Sequence, residues 1–392
     1  MRVPTVVVGG SVAGVRTVQA LRARGYEEDI VLVDQEPGPP YDKPALSKEI
    51  LTGAAAEPPA LAELGDLAVD HRPGLAATGL DLAARRLVTG SGSIPFGRLV
   101  IATGSRPRRL PALEGRAGVH YLRTRADAAS LRAEFTRRPR VVVVGGGFIG
   151  GEVASSARAL GLDVTIVEAA PRLLTRLMPL EVSDRVARLH RDHGVRVLCG
   201  RSVTGCFGRD RVETVELGDG TRLDADVVVA GIGTTPATGW LSGSGLVLDD
   251  GVRCRPDLSA DGADGVWAIG DCARWFDVAS SRPVRLEHWT AAREQAAFVA
   301  GAFTGDGATT AFTTTGYVWS DQHGVRIQHV GRCDAATTTS SSPAGDGRGL
   351  LFVHHDGDEP VGATAFDAPR DLLAFRRRLT SATAPITERT RG

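Results

Sequence analysis

Val141-Val142-Val143-Val144-Gly145-Gly146-Gly147-Phe148-Ile149-Gly150-Gly151-Glu152 is the stretch that decides the fold. A run of β-branched residues enters a glycine-rich turn and leaves it as a helix to about Leu160. A second apolar strand, Val164 to Val167, then closes on Glu168. Strand, turn, helix and strand in that order, with glycines at 145, 147 and 150 and an acid about 20 residues on, spell a dinucleotide-binding unit. The first glycine permits the tight turn, the second lets backbone approach a pyrophosphate, and the third lets helix and strand touch. The helix start offers free N–H groups and a positive dipole end to the phosphates.

The same pattern stands at the beginning of the chain. Val6-Val7-Val8-Gly9-Gly10-Ser11-Val12-Ala13-Gly14 leads into a helix through about Arg24, and the next strand, Ile30 to Val33, ends at Asp34, Gln35 and Glu36. Ser11 replaces the middle glycine; serine is small, and tolerance is expected. Either unit alone is a weak signal, because a glycine-rich turn can be purely structural. Two complete units, each with an acid at the right distance, call for two dinucleotides. Glu168 bears on which nicotinamide is used, since a carboxylate accepts from a ribose 2′-OH but repels a 2′-phosphate. NADH is therefore expected over NADPH. Arg172 and Arg176 follow closely, so a phosphate site is the alternative, and a solvated loop face is the plain reading of both.

Composition narrows the remaining classes. With 392 residues there is room for two or three domains. Positive and negative side chains balance at 46 each, so no overall field favours nucleic acid or an acidic membrane. Met1 runs straight into the strand Thr5 to Val8 with no signal-peptide pattern, and no segment approaches the roughly 20 apolar residues of a membrane span. A soluble, cytoplasmic protein is expected, with no nucleic-acid or membrane partner. Five cysteines (Cys199, Cys206, Cys254, Cys272, Cys333) are scattered without a Cys-x-x-Cys pair, so no metal is expected and most should be buried thiols.

Three further strand ends carry small residues: Leu99 to Pro107 with Ala102-Thr103-Gly104, Gly231-Ile232-Gly233-Thr234-Thr235-Pro236, and Trp267-Ala268-Ile269-Gly270-Asp271-Cys272-Ala273. As an ordered set these motifs resemble the two-dinucleotide flavoprotein reductases of the pyridine nucleotide-disulfide oxidoreductase superfamily. More specifically, they resemble the NADH-dependent ferredoxin reductases that serve cytochrome P450s and Rieske oxygenases. The resemblance is strong to about Gln322 and weaker beyond. It implies an α/β fold of two Rossmann-like dinucleotide-binding domains, for FAD and NAD, plus a C-terminal α+β domain. The expected boundaries are 1–109 and 238–306 for the FAD domain, 110–237 for the NAD(P)H domain and 307–392 for the last. Thr337 to Gly349, rich in Thr, Ser, Gly and Pro, is expected as a mobile loop, and the tail after Pro385 as disordered.

The resemblance also implies site residues. FAD would meet Gly9, Ser11, Ala13, Gly14, Asp34, Gln35, Glu36, Ala76, Ala102, Thr103, Gly104 and Gly270. Asp271 would hydrogen-bond the ribityl or pyrophosphate region, a role compatible with a helix N-cap. Arg123, in Tyr121-Leu122-Arg123-Thr124, would reach the FAD phosphates. Tyr41-Asp42-Lys43-Pro44-Ala45-Leu46-Ser47-Lys48 matches a family segment whose last lysine lies beside the flavin ring, with Ala45 for a common proline. Lys48 would pair with Glu152, the two forming the catalytic set, and a cation there stabilises electron-rich reduced flavin. Lys43, like Lys48, is expected at the cofactor, and the two are the only lysines in a chain that otherwise uses arginine; a surface basic pair is the bland alternative. Glu287, His288 and Trp289 would line the flavin pyrimidine end, and Trp319, in Val318-Trp319-Ser320-Asp321-Gln322, the opposite flavin face; core roles for the tryptophans stay open. NADH would meet Gly145, Gly147, Phe148, Ile149, Gly150, Glu168, Arg176, Gly231 and Gly233.

Disulfide reductases and peroxidases of the superfamily carry redox cysteines after the first unit, whereas this chain has none before Cys199. One-electron delivery to an acidic iron–sulfur ferredoxin is therefore expected, from a monomer or homodimer. Candidate docking clusters are Arg106, Arg108 and Arg109; Arg137, Arg138 and Arg140; and Arg376, Arg377 and Arg378, the last also readable as a helix C-terminal cap. Two other functions stay in view: a flavoenzyme acting directly on a small molecule, and a redox-sensing interaction protein like the apoptosis-inducing-factor branch.

Overall fold

Strands buried on both faces read as unbroken apolar runs rather than alternations, and the two glycine-turn strands, Thr5–Val8 and Arg140–Val144, are of this kind. Each is the middle of a five-stranded parallel sheet. The computed structural model describes residues 3–175, 177–305, 310–334, 336–345 and 347–383, and the chain folds as two compact units.

The first unit comprises Met1–Leu46, Ala56–Arg108 and Thr234–Thr314. Its sheet runs, edge to edge, Val266–Ala268, Arg98–Ile101, Thr5–Val8, Ile30–Asp34 and Val69–Pro73. Thr5 pairs in register with Ile30 on one side and Arg98 on the other. Strand order therefore reverses at the first glycine turn, the place where open α/β sheets bind ligands. Helix Val12–Ala23 packs against helix Trp289–Thr304. An antiparallel meander, Ala77–Asp81, Arg86–Thr89 and Gly92–Pro95, precedes Arg98–Ile101.

The second unit comprises Ser47–Ala55, Arg109–Gly233 and Thr315–Gly392. Its parallel sheet runs Arg196–Cys199, Asp163–Glu168, Arg140–Val144, Val227–Ala230 and Val119–His120, repeating the reversal at the second glycine turn. A separate antiparallel sheet runs Val318–Gln322, Val325–Gly331, Glu359–Phe366, Leu350–Asp356 and Thr338–Pro343, with helix Pro369–Thr383 against it. Val330, Ala363, Ala365, Leu372 and Phe375 form the core between that sheet and helix.

Two expectations need correction. Thr338–Pro343 is a strand, not a loop: it pairs with Leu350–Asp356 at the sheet edge. Its residues are mostly exposed and polar on both faces, so no alternation announced it, while threonine still suits a pleated edge. Arg376 to Arg378 lie within helix Pro369–Thr383 rather than at its end; Arg376 donates to Thr315 Oγ1 at 2.9 Å. The tail after Pro385 lies outside the described residues. Among the described residues no helix is long and apolar enough to cross a membrane.

Candidate functional site: two nucleotide cradles and a buried ion pair

In the first unit the glycine turn is held by contacts that exclude side chains. Gly9 has φ +119°, and a Cβ there would fall 2.2 Å from the Ala102 carbonyl oxygen. A Cβ on Gly14 would fall 1.9 Å from the Gly9 carbonyl oxygen, so helix and strand touch through bare backbone. Ser11 is the N-cap of the helix and its hydroxyl makes no capping bond. With Ala13 it stands at a helix start whose first N–H groups have no intrahelical partner.

Asp34, at the end of its strand, turns toward this loop: its carboxylate bonds to the Gly10 N–H, and Glu36 N–H donates to Asp34 Oδ1 at 3.3 Å. Burial, partly offset by these N–H bonds, pushes its pKa up. Glu36 faces elsewhere, accepting from Tyr41 Oη at 2.5 Å and pairing with Lys43. Gln35 lines a small cleft with Gly9, Asp34, Leu75, Ala77 and Thr103. Ala76 itself is exposed between two of these lining residues.

Gly270 brings a second element to the same helix start. Its φ is +71°, and a Cβ would meet Ala13 Cβ at 3.2 Å. Asp271 beside it accepts from Ser105 Oγ at 2.7 Å. Thr103 donates to the Ala237 carbonyl at 3.0 Å, and Gly104 has φ +68°. Trp289 Nε1 donates to Asp42 Oδ1 at 2.8 Å, tying the sequence-predicted flavin tryptophan to the Tyr41–Lys48 segment. Glu287 accepts from Arg285 at 2.6 Å. His288 Nδ1 is buried without a hydrogen-bond partner, and burial pushes the ring's pKa down. An orphaned buried imidazole nitrogen beside a helix start is what a site built around an absent polar group leaves.

The second unit repeats this construction. Gly145 has φ +108°, and its Cβ would fall 2.3 Å from the Gly231 carbonyl oxygen; a Cβ on Gly150 would fall 2.1 Å from the Gly145 oxygen. A Cβ on Gly147 would meet nothing within 4 Å, so the protein leaves that face of the turn open. Glu168 grips its own loop as Asp34 does, accepting from Gly146 N–H at 2.6 Å and Ala170 N–H at 2.7 Å. Phe148 and Ile149 open the helix, with Ile149 48% exposed. Gly233 has φ +97°. Arg176 lies outside the described residues.

Lys48, Arg123 and Trp319, expected at the flavin, belong to the second unit. Arg123 directly precedes Thr124, which caps helix Arg125–Phe135 in a reciprocal box with Asp127. Trp319 stacks on Tyr317, with ring centroids 6.1 Å apart. Lys48 and Glu152, distant in sequence, do meet: Lys48 Nζ lies 2.8 Å from Glu152 Oε2, and their side chains are 17% and 5% exposed. Glu152 also accepts from Ser47 Oγ at 2.5 Å and Ser320 Oγ at 2.7 Å.

The chain of hydrogen bonds continues inward. Gln322 Nε2 donates to Ser320 Oγ at 3.0 Å, His190 Nε2 donates to Gln322 Oε1 at 2.9 Å, and His323 Nε2 lies 3.0 Å from His190 Nδ1. Gly151 makes room for it, since a Cβ there would fall 2.7 Å from Gln322 Oε1. Sequence reading missed Ser47, Ser320, Gln322, His190 and, in the first unit, Gln295, whose Oε1 accepts from Gly270 N–H at 2.7 Å. The available signal was a polar residue at a helix core position, which fits Gln295 and His190.

Burial pushes the His190 pKa down to about 4; burial, helped by the neighbouring His190, His193 and Arg158, pushes that of His323 down to about 3. Their folded pKa values lie below the unfolded value near 6.5, so the unfolded chain binds protons first. Stability from the neutral rings is present above pH 6.5 and lost as pH falls toward 4. The His190 share is on the order of 3 kcal/mol. Urea unfolding at pH 7 and pH 4.5 should show the loss, and His190→Gln should flatten it; an unchanged slope in that variant would show that other groups carry the acid sensitivity.

Comparison with known proteins matches this architecture. Residues 3–296 fit the family model for pyridine nucleotide-disulphide oxidoreductases, and residues 317–390 the reductase C-terminal model. The ferredoxin reductase component of chlorobenzene dioxygenase from Cupriavidus sp. (strain PS12) is 39% identical over 97% of this chain and 93% of that protein. The ferredoxin–NAD(+) reductase component of the anthranilate 1,2-dioxygenase system from Burkholderia cepacia is 36% identical over 97% and 95%. The crystal structure of the covalent putidaredoxin reductase–putidaredoxin complex superposes with a TM-score of 0.91 at 31% identity, covering 97% of this chain and 93% of that one. With both glycine turns, both acid grips and a C-terminal antiparallel sheet in place, the chain belongs to the pyridine nucleotide-disulphide oxidoreductase family, among its ferredoxin reductases.

Proposed function

We propose that this protein takes a hydride from NADH onto FAD and delivers the electrons singly to an acidic iron–sulfur ferredoxin feeding a cytochrome P450 or Rieske oxygenase. The observation that carries the reading is the duplicated cradle, each with a bare-backbone helix start and an acid gripping the turn. The relatives' names supply the ferredoxin.

Bound FAD supplies the redox chemistry, accepting two electrons with the hydride and giving them up one at a time. The protein's part is position and charge. Helix N–H groups from Ser11 to Gly14 hold the FAD pyrophosphate, with Asp271 on the adjoining chain and Trp289 at the pyrimidine end. The helix start at Gly147 to Gly150, opened by Phe148 and Ile149, would hold the NADH pyrophosphate. Lys48, paired with Glu152, would lie beside the flavin ring. The ferredoxin meets an arginine surface. Arg137 to Arg140 is the poorest candidate, since Arg140 already bridges Asp224 at 2.7 Å and Asp226 at 2.9 Å.

Glu168 supports NADH over NADPH. The N–H groups of Gly146 and Ala170, one on each of its oxygens, fix a carboxylate where a 2′-phosphate would meet like charge. Glu168→Gln keeps an acceptor and removes the charge. The ratio of kcat/KM for NADH over NADPH should then fall about tenfold, or roughly 1.4 kcal/mol. An unchanged ratio would place the discrimination elsewhere.

The direct test is NADH consumption by the FAD-loaded protein with oxygen alone and with a [2Fe–2S] ferredoxin plus cytochrome c. Large acceleration by ferredoxin is expected. Equal slow rates, despite rapid anaerobic flavin bleaching by NADH, would overturn the ferredoxin reading and favour a small-molecule acceptor.

A further inference from the structure

The C-terminal antiparallel sheet buries a group of side chains that the electron-transfer reading leaves unused. His329 lies on Val325–Gly331, His354 on Leu350–Asp356, and Cys333 just past the first of these strands. One nitrogen of each imidazole and the Cys333 sulfur all lie within 4.8 Å of one another. Cys333 Sγ is 3.6 Å from His329 Nε2. His354 is fully buried, His329 nearly so, and Cys333 half-buried.

A single threonine organises both rings. Thr364 stands opposite His329 in the sheet register, and its Oγ1 lies 3.0 Å from His329 Nδ1 and 2.8 Å from His354 Nε2. The same hydroxyl lies 3.6 Å from Met178 Sδ. The other ring nitrogens are also in contact, His329 Nε2 at 3.2 Å from the Gly331 oxygen and His354 Nδ1 at 3.2 Å from Thr339 Oγ1. A cleft of about 290 Å³ adjoins the group, lined by Met178, Glu181, Cys333, Asp334, Thr337 and Thr339.

Two imidazoles and a thiol are costly core fillers, and apolar side chains of similar volume would pack there at less cost. The spacing suits another use. Zinc bonds of about 2.3 Å to sulfur and 2.0–2.1 Å to nitrogen, tetrahedrally disposed, put sulfur and nitrogen about 3.5 Å apart. The Cys333–His329 separation of 3.6 Å already meets that. The 4.8 Å within which the three donor atoms lie must close by at most roughly 1.3 Å. A hydroxyl holding the far nitrogen of each ring is the outer-shell support that fixes ligand orientation.

We propose that His329, Cys333 and His354 bind a thiophilic d¹⁰ cation, Zn²⁺ or Cu⁺, with three protein ligands and a fourth position open toward the cleft. The thiolate and imidazole set disfavours Mg²⁺ and Ca²⁺, which take oxygen ligands. Binding exchanges the thiol proton for the cation, with no change of oxidation state. It ties the segment after Gly331 to the sheet interior.

The experiment uses the FAD-loaded full chain, stripped with EDTA and desalted. Zn²⁺ is titrated by calorimetry, the bound metal is counted, and Co²⁺ serves as a spectroscopic probe read in the red, beyond flavin absorption. A parallel arm delivers Cu⁺ from a competing chelator. One Zn²⁺ or Cu⁺ per chain, with a raised Tm, is expected. Cys333→Ser should abolish both effects while its Tm in EDTA stays that of the parent. Thr364→Val, which keeps the ligands, should weaken binding about 10- to 100-fold. No stoichiometric binding of either ion, or binding that Cys333→Ser leaves unchanged, would overturn the proposal.

Discussion

Gly14→Ala is expected to yield a protein that loses its FAD while its second cradle still works. The new Cβ would fall 1.9 Å from the Gly9 carbonyl oxygen, in the turn, and 3.2 Å from Val7 Cγ1, on the strand the helix rests on. Backbone meets backbone there, so no rotamer change relieves the clash. The helix start must lift by roughly an ångström or more, in an interior packed too densely to absorb it. Stability should fall by about 1–3 kcal/mol. The displaced N–H groups no longer reach the pyrophosphate, and FAD affinity should drop on the order of 100-fold, about 2.7 kcal/mol. Gly150→Ala is the matched experiment, with a Cβ 2.1 Å from the Gly145 oxygen. It should keep its flavin and raise the KM for NADH instead. Gly147→Ser copies Ser11 into the second turn, where a Cβ meets nothing, and should fold with parental stability. Flavin-to-protein absorbance ratios and NADH titrations read all three. Equal damage to both cofactors by both alanine variants would show that the cradles are not independent.

Glu152→Ala should be the most damaging single change at the ion pair. It leaves Lys48, Ser47 and Ser320 without their common acceptor in a nearly buried site. Removing one partner of a buried pair typically costs about 3–5 kcal/mol, because the surviving charge has nowhere to go. The 17% exposure of Lys48 puts the expected loss at the lower end, about 3 kcal/mol. Glu152→Gln keeps the shape and should cost less stability. With Lys48 at the flavin edge as proposed, it should slow anaerobic flavin bleaching by NADH about tenfold, roughly 1.4 kcal/mol of barrier. NADH affinity should change far less. A cycle with Lys48→Met separates the pair from its parts. If Lys48→Met and Glu152→Gln add without coupling, the pair is a packing feature and the electrostatic role is wrong.

The parts of the molecule legible in the sequence are those whose constraints are local. Glycines at 9 and 14, and at 145 and 150, announce two cradles because the turn and the helix approach are settled within a few residues. Asp34 and Glu168 were legible as acids at strand ends, though their grip on their own loops was not. Glu36 was less so, since its partners Tyr41 and Lys43 come from the next segment. Ser47, the strand bearing Ser320 and Gln322, and His190 converge from three distant stretches, and no spacing rule connects them to Glu152. The strand Thr338–Pro343 was hidden for a different reason: an edge wet on both faces has no period to detect. The grouping of His329, Cys333 and His354 likewise exists only once the strands are in register.

The hydrogen bonds that end on Glu152 have a sense. His190 gives its Nε2 proton to the Gln322 oxygen, the Gln322 amide gives to Ser320, and Ser320 gives to the carboxylate. His190 Nδ1 is thereby left as an acceptor, so His323 must supply the proton between the two rings. Every arrow points one way, and an amide in the middle cannot pass a proton on without turning over. The row is therefore a compass rather than a wire. It aligns with the negative charge on Glu152, each member polarising the next, and an event at the lysine can be felt at the far imidazole as a change of orientation without any proton having travelled.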